Sequence, residues 1–195
     1  YGDGGACFTN NKELANKIRI LSLHGQEKRY SHIKIGINGR LDTIQAAILL
    51  AKLEVFEEEI LARQRIGQRY TDEFQKSGLI LTPKISEYNT SVFAQYTIQV
   101  KNRNEVIKKL KAFNIPTAIH YPSLITDQEA LINKKSFLRK LFSNTSNKKT
   151  YFKKSLNNAQ KISQKVLSLP MHPLLKNSDQ DTIIKSVIDS LNYLD

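Results

Sequence analysis

The stretch GINGRLDTIQAAIL, residues 36–49, carries two different messages. Its second half has the periodicity of a buried helix, with Ile44, Ala47 and Ile48, then Ala51, at the spacing that lines one face. Its first half does not. Gly36, Asn38, Gly39 and Arg40 stand just ahead of the helix, where backbone donors can face an anion. Asn and Gly are also ordinary turn formers, which would leave Arg40 in solvent. Glycine, in turn, admits the close approach of either a neighbouring backbone or a ligand. On local evidence the simple turn is the better reading, and an anion site is its alternative.

Upstream, GGACFTN (residues 4–10) predicts a short strand entered through a glycine turn. Asn10 with Glu13 predicts a capping box, and Leu14, Ile18 and Leu21 form one apolar face of a helix that Gly25 ends. Residues 26–37 read as polar and irregular. Asp42 with Gln45 repeats the cap signal, and one long helix is predicted from there to Gly78, past Ile66, Tyr70 and Phe74. That exceeds the usual globular helix and suits a bridge between domains.

Downstream, LILTP (residues 79–83) and the alternating SVFAQYTIQV (91–100) predict strands. Asn102 with Glu105 starts a helix, IPTAIHYP (115–122) is a further short strand, and KVLSLPMHP (165–173) another. A terminal helix begins at Ser178 and Asp181. Strand and helix alternating after a long helix define the α/β class, here a small sandwich.

The net charge is +12, from 30 basic and 18 acidic residues. From Ala130 to Lys165 there are ten lysines and arginines and no Asp or Glu. Such a patch suits either a polyanion or plain solvation, and solvation is the better reading because lysine predominates and no nucleic-acid motif accompanies it. No apolar run approaches the ~20 residues needed to span a bilayer. A single cysteine, Cys7, leaves no internal disulfide and suits the cytoplasm. His24, His32, His120 and His172 lack metal-ligand spacing, so no metal is expected. His120 and Tyr121 stand at a strand end before a proline, where side chains commonly face a cleft, although on spacing alone a strand end with a satisfied histidine is the better reading. Tyr1, rather than methionine, opens the chain inside a glycine-rich turn, which reads as the C-terminal portion of something longer.

Six stretches, in this order, resemble the DegT/StrS family of pyridoxal-phosphate (PLP) sugar aminotransferases. They are YGDGGACFTNNKELANKIRILSLHG, GINGRLDTIQAAIL, FEEEILARQRIGQRY, SVFAQYTI, IPTAIHYP and LSLPMHP. The resemblance covers nearly the whole chain apart from the lysine-rich segment. It implies a fold type I PLP-transferase, with residues 1–62 closing the large PLP-binding domain and starting the bridging helix. Residues 63–195 would be the complete small C-terminal α/β domain, with its excursion at 130–165. The nearest subgroup aminates a UDP-3-oxo-N-acetylglucosaminuronate for bacterial surface polysaccharide.

The same resemblance implies roles for four residues. Asn38 reaches the PLP phosphate of the partner subunit; Arg40, His120 and Tyr121 bind the nucleotide sugar. No residue here is implied to be catalytic, because the Schiff-base lysine lies upstream of residue 1, and the fragment alone is expected to be inactive. The implied partners are a second copy of the protein, the nucleotide sugar and glutamate, without nucleic acid or membrane. Family relatives that lack the lysine, as sugar dehydratases or regulators, are the alternative, with a polyanion-binding module as a second.

Overall fold

The computed structural model describes residues 2–129 and 156–192. The chain divides into two compact units, Tyr1–Glu57 and Glu58–Asp195.

In the first unit, helix α1 spans Lys12–Ser22. Its cap is Asn11 rather than Asn10: the Asn11 side chain accepts from the Leu14 N–H at 3.0 Å. Of two successive asparagines, the one with extended backbone can turn its oxygen onto the first turn. Residues 4–9, expected as a strand, are irregular. Residues 26–37, expected as irregular, instead hold a small antiparallel pair, β1 (Gln26–Lys28) and β2 (Ser31–His32). Tyr30 turns the chain between them with φ +66°.

Helix α2 runs Thr43–Leu53. Asp42 precedes it with extended backbone but makes no capping bond, and Gln45 reaches away to donate to the Asp3 carbonyl at 2.9 Å. The apolar spacing formed the helix, yet no residue of α2 is buried, and Ile44 is 77% exposed. Periodicity sets which face is apolar; it does not say what covers it. Nor is the helix continuous to Gly78. A turn at Glu54–Val55 intervenes, closed by a bond from the Val55 N–H to the Lys52 carbonyl at 3.3 Å, and α3 then spans Phe56–Ser77.

The second unit is built on a narrow sheet. Strands β3 (Tyr96–Gln99) and β4 (Val166–Leu169) pair antiparallel, Tyr96 opposite Leu169 and Gln99 opposite Val166. Leu81 extends the sheet beside Gln99, and Ala118 extends it beside Ser168. The predicted strands at 79–83 and 115–122 thus reduce to single bridges. Pro83, Pro116 and Pro122 contribute no N–H, which shortens any ladder there. The alternation expected over 91–100 is realised only in its second half: the strand covers Tyr96–Gln99 with Tyr96, Ile98 and Val100 buried, while Val92 and Ala94 are exposed and precede it.

Helices α3, α4 (Arg103–Ala112) and α6 (Asn177–Asn192) supply the rest of the core, and α5 (Asn157–Ser163) leads into β4. Asn102 precedes α4 in the left-handed region and makes no side-chain cap, so Glu105 has no capping box to complete. Tyr70, Phe74, Tyr96, Ile98, Val106, Leu110, Leu167 and Val187 are fully enclosed. Tyr70 stacks on Phe74 with ring centres 5.6 Å apart and tilts against Tyr96 at 4.9 Å. Phe93 lies flat enough on α3 that a Cβ at Gly67 would sit 2.3 Å from its ring, so only glycine fits there. Polar contacts then fix α6 to α3. Gln180, wholly buried, donates to the Ile66 carbonyl at 2.8 Å, and Arg69 donates to Gln180 and pairs with Asp181. Most of the lysine-rich segment, residues 130–155, lies outside the described residues.

Both core phenols find partners. Thr71 gives its one hydroxyl proton to the Gly67 carbonyl at 3.0 Å, so Tyr96 is the donor in the 2.7 Å contact between Tyr96 and Thr71. Burial pushes the Tyr96 phenol up to about 12 and the Tyr70 phenol higher still. The folded state therefore holds these protons more tightly than the unfolded chain, whose tyrosines titrate near 10. Their contribution is complete below that value and is lost as pH rises through the folded value. The urea midpoint should fall between pH 10 and about 12, and Tyr96→Phe should flatten that fall. Equal slopes in the two proteins would remove Tyr96 from the account.

Candidate functional site

The first cluster begins with a backbone crossing at the end of α1. The Ile37 N–H donates to the Leu21 carbonyl and the Gly39 N–H to the Ser22 carbonyl, both at 2.9 Å, while Ile37 accepts from the His24 N–H. Two of the carbonyls that a helix leaves without partners are thus filled by the segment carrying Asn38. The crossing is tight. A Cβ at Gly36 would lie 2.2 Å from the Gly25 nitrogen, and one at Gly25, where φ is +73°, would lie 1.7 Å from the Lys34 carbonyl oxygen. Gly36 of the opening stretch thus admits a neighbouring backbone, whereas a Cβ at Gly39 would meet only the Ser22 and Ile37 side chains.

On this crossing Arg40 Nε donates to Asn38 Oδ1 at 3.0 Å, both side chains being exposed. Arginine has no acceptor, so the Asn38 atom it meets is the carbonyl oxygen. The consequence is directional: the Asn38 amide N–H groups and the two terminal nitrogens of Arg40 remain as donors for something else. Amide donors suit a phosphate, and the end of a guanidinium suits a carboxylate through two parallel bonds.

The second cluster sits on the sheet of the second unit. The Ala118–Ser168 bridge brings the chain past β4, and two residues later His120 Nδ1 lies 2.9 Å from Ser168 Oγ. Ser168 Oγ is in turn 2.8 Å from Thr97 Oγ1 on β3. The Tyr121 ring stands edge-on to His120 with centres 5.6 Å apart and is 74% exposed. His120 and Tyr121 form one wall of a cleft of about 330 Å³, whose floor is apolar, from Leu124, Ile125, Leu156, Ile162 and Val166. A titratable ring and a phenol over an apolar floor is the usual composition of a small-molecule site.

The structure thus pairs Asn38 with Arg40 in the first unit and His120 with Tyr121 in the second. Sequence reading missed Ser168 and Thr97, although a serine inside the apolar run Val166–Leu169 was the available sign. Of the other histidines, His32 places its Nδ1 3.0 Å from the His24 carbonyl. Among the described residues no group of three or more His, Cys, Asp or Glu is placed to hold a metal ion, and no helix is long and apolar enough to cross a membrane.

Comparison with known proteins places this arrangement in a class. Residues 1–188 match the DegT/DnrJ/EryC1/StrS aminotransferase family. The chain belongs to that family. It is 46% identical over 175 residues to the UDP-2-acetamido-2-deoxy-3-oxo-D-glucuronate aminotransferase of Pseudomonas aeruginosa, covering 90% of this chain and 44% of that protein. It is 33% identical to a pleiotropic regulatory protein of Geobacillus stearothermophilus, covering 97% and 47%. Among solved structures, a DegT DnrJ EryC1 StrS aminotransferase from Brucella abortus superposes with a TM-score of 0.78 at 34% identity, over 94% of this chain and 45% of that one. NtdA from Bacillus subtilis with bound cofactor PMP gives 0.77 at 26%, over 94% and 41%. The fold is therefore that of the fold type I PLP aminotransferases, α/β as the sequence predicted. The chain spans less than half the length of these relatives.

The crossing is directly testable. Gly36→Ala forces a methyl into backbone and should destabilise the first unit by about 1–3 kcal/mol, the cost of overpacking a site that cannot give. Hydrogen exchange at the Ile37 and Gly39 amides should rise in that variant, and unchanged protection there would refute the steric role.

Proposed function

We propose that the protein containing this chain is a PLP-dependent aminotransferase. It passes an amino group from glutamate to a keto-sugar nucleotide, a UDP-3-oxo-N-acetylglucosaminuronate, for bacterial surface polysaccharide. The observation that carries this is the exposed Asn38–Arg40 pair, in which the Asn38 oxygen is taken by Arg40 Nε, leaving the Asn38 amide N–H groups and the Arg40 terminal nitrogens as donors. The 46% identity to an aminotransferase named for that uronate supports the substrate class. In this reading residues 1–62 close the large domain and residues 63–195 form the small one. The protein works in the cytoplasm as a homodimer with its sites shared across the interface, and it needs neither nucleic acid nor membrane.

The cofactor fits the donor set. Asn38 offers two exposed amide N–H groups to a phosphate, an acceptor-only ligand. Pyridoxal phosphate, when bound, supplies the electron sink that amino transfer requires. This chain's residues bind and orient. Asn38 holds phosphate, assigned to the partner subunit's site. Arg40 grips the sugar carboxylate with its terminal nitrogens while Nε stays tied to Asn38. His120 and Tyr121 present a donor and a phenol above an apolar cleft floor that takes the less polar face of the substrate. The lysine that carries the cofactor covalently is assigned to a position before Tyr1, so no residue of this chain performs the covalent step.

Arg40 decides the sugar. Removing it leaves a carboxylate without its charge-assisted partner, at a cost on the order of 1.5–3 kcal/mol. That corresponds to roughly a 10- to 150-fold loss in kcat/KM. In the full-length enzyme, Arg40→Ala should show that loss with the 3-oxo uronate. With the nucleotide sugar carrying a hydroxymethyl group instead, it should lose far less. If both substrates fall by one factor, Arg40 does not read the carboxylate and the uronate assignment fails. If neither substrate is aminated by the unaltered enzyme, the aminotransferase reading itself falls in favour of a regulator or dehydratase.

A further inference from the structure

Ser168 is one of few polar side chains buried in the second unit, 5% exposed on a strand whose every residue is buried. Its hydroxyl has two partners, Thr97 Oγ1 at 2.8 Å and His120 Nδ1 at 2.9 Å. Thr97 and Ser168 are opposite each other in the β3–β4 register. Ser168 also exchanges both backbone bonds with Ala118, N–H to carbonyl at 2.8 Å one way and 3.1 Å the other. The backbone thus fixes where the serine oxygen sits, and the serine oxygen fixes the imidazole.

We infer that Ser168 is a positioning residue for His120, closing a relay in which Thr97 donates to Ser168 and Ser168 donates to His120 Nδ1. The inference rests on the reading of His120 as a substrate ligand. Each hydroxyl has one proton, so the relay has two polarities. In one, the imidazole N–H at Nδ1 donates to Ser168 and Ser168 donates to Thr97. In the other, the protons point toward the ring. Both make two bonds, but only the second ends on the unprotonated ring nitrogen, a stronger acceptor than a hydroxyl oxygen. That polarity leaves the ring proton on Nε2, because the bond made by one ring nitrogen sets the state of the other. His120 then meets the cleft it lines as a fixed donor. Phosphate and carboxylate oxygens, the acceptor-only groups of a nucleotide sugar acid, are what such a donor takes.

The relay is read by nitrogen-15 NMR of the histidine rings in the full chain, with no substrate needed. The unaltered protein should show His120 Nε2 with the shift of a protonated ring nitrogen and Nδ1 with that of an unprotonated one. Ser168→Ala should pull the two shifts toward each other as the tautomers mix. Thr97→Val should leave the pattern in place, since Ser168 still donates to Nδ1. A protonated Nδ1 in the unaltered protein, a reversal in Thr97→Val, or no change in Ser168→Ala would each overturn the proposal. Adding UDP-N-acetylglucosaminuronate to the full-length enzyme should then move Nε2 alone. An unmoved Nε2 alongside the expected tautomer would defeat the ligand reading of His120 and not the relay.

Discussion

The second unit depends on a strand with no outward face. Val166–Leu169 is buried at all four residues, so its backbone groups on both edges must be bonded within the protein. β3 fills one edge over its whole length, and Ala118 fills the other at a single point. Burying the strand also buries the Ser168 hydroxyl, and an enclosed hydroxyl without a partner costs about 1–3 kcal/mol. Thr97 and His120 remove that cost. The candidate site is therefore no appendage to the sheet: the group that satisfies the buried serine is the one that lines the cleft.

The first unit reaches a similar result by other means. Helix α1 ends with carbonyls in need of donors, and the chain returns across that end to supply them from Ile37 and Gly39. Only glycine at 25 and 36 permits the two backbones to come so close. Asn38 lies between the two donors, bridged to Leu23, so its position follows from the helix end rather than from any contact of its own side chain with the core.

Sequence made visible whatever was local and periodic. The alternation Tyr96, Ile98, Val100 and the 3.6-residue spacing of Ile66, Tyr70 and Phe74 coincide with buried positions, whereas the same patterns at Val92, Ala94, Ile44 and Ile48 fall on exposed ones. What failed were choices between adjacent candidates and events without a residue marker. Asn10 and Asn11 are the same side chain, and only backbone conformation separates them. The turn at Glu54–Val55 holds no Gly or Pro. Asp42 and Gln45 have the composition of a cap, but Gln45 is drawn to Asp3, forty-two residues away along the chain. The candidate site residues Asn38, Arg40, His120 and Tyr121 were named through the family resemblance, since local spacing alone favoured a plain turn and a satisfied histidine. Their hydrogen-bond directions were not legible, because those depend on partners that only folding brings near.

Those directions share one logic. Arg40 occupies the oxygen of Asn38, and Ser168 occupies one nitrogen of His120. Asn38 and His120 each carry donors and an acceptor, and each has one end taken by another residue of this chain. In the first pair the tied end must be the acceptor, because a guanidinium can only donate. An untethered asparagine or histidine would present either polarity to a visitor and would lose orientation entropy on binding. Tethering removes that choice before the ligand arrives. A surface that shows donors alone discriminates by charge type: it favours phosphate and carboxylate and leaves a cationic or donor-rich ligand without partners. Selectivity for acidic ligands can thus be set by the hydrogen bonds behind the site as much as by the groups in front of it.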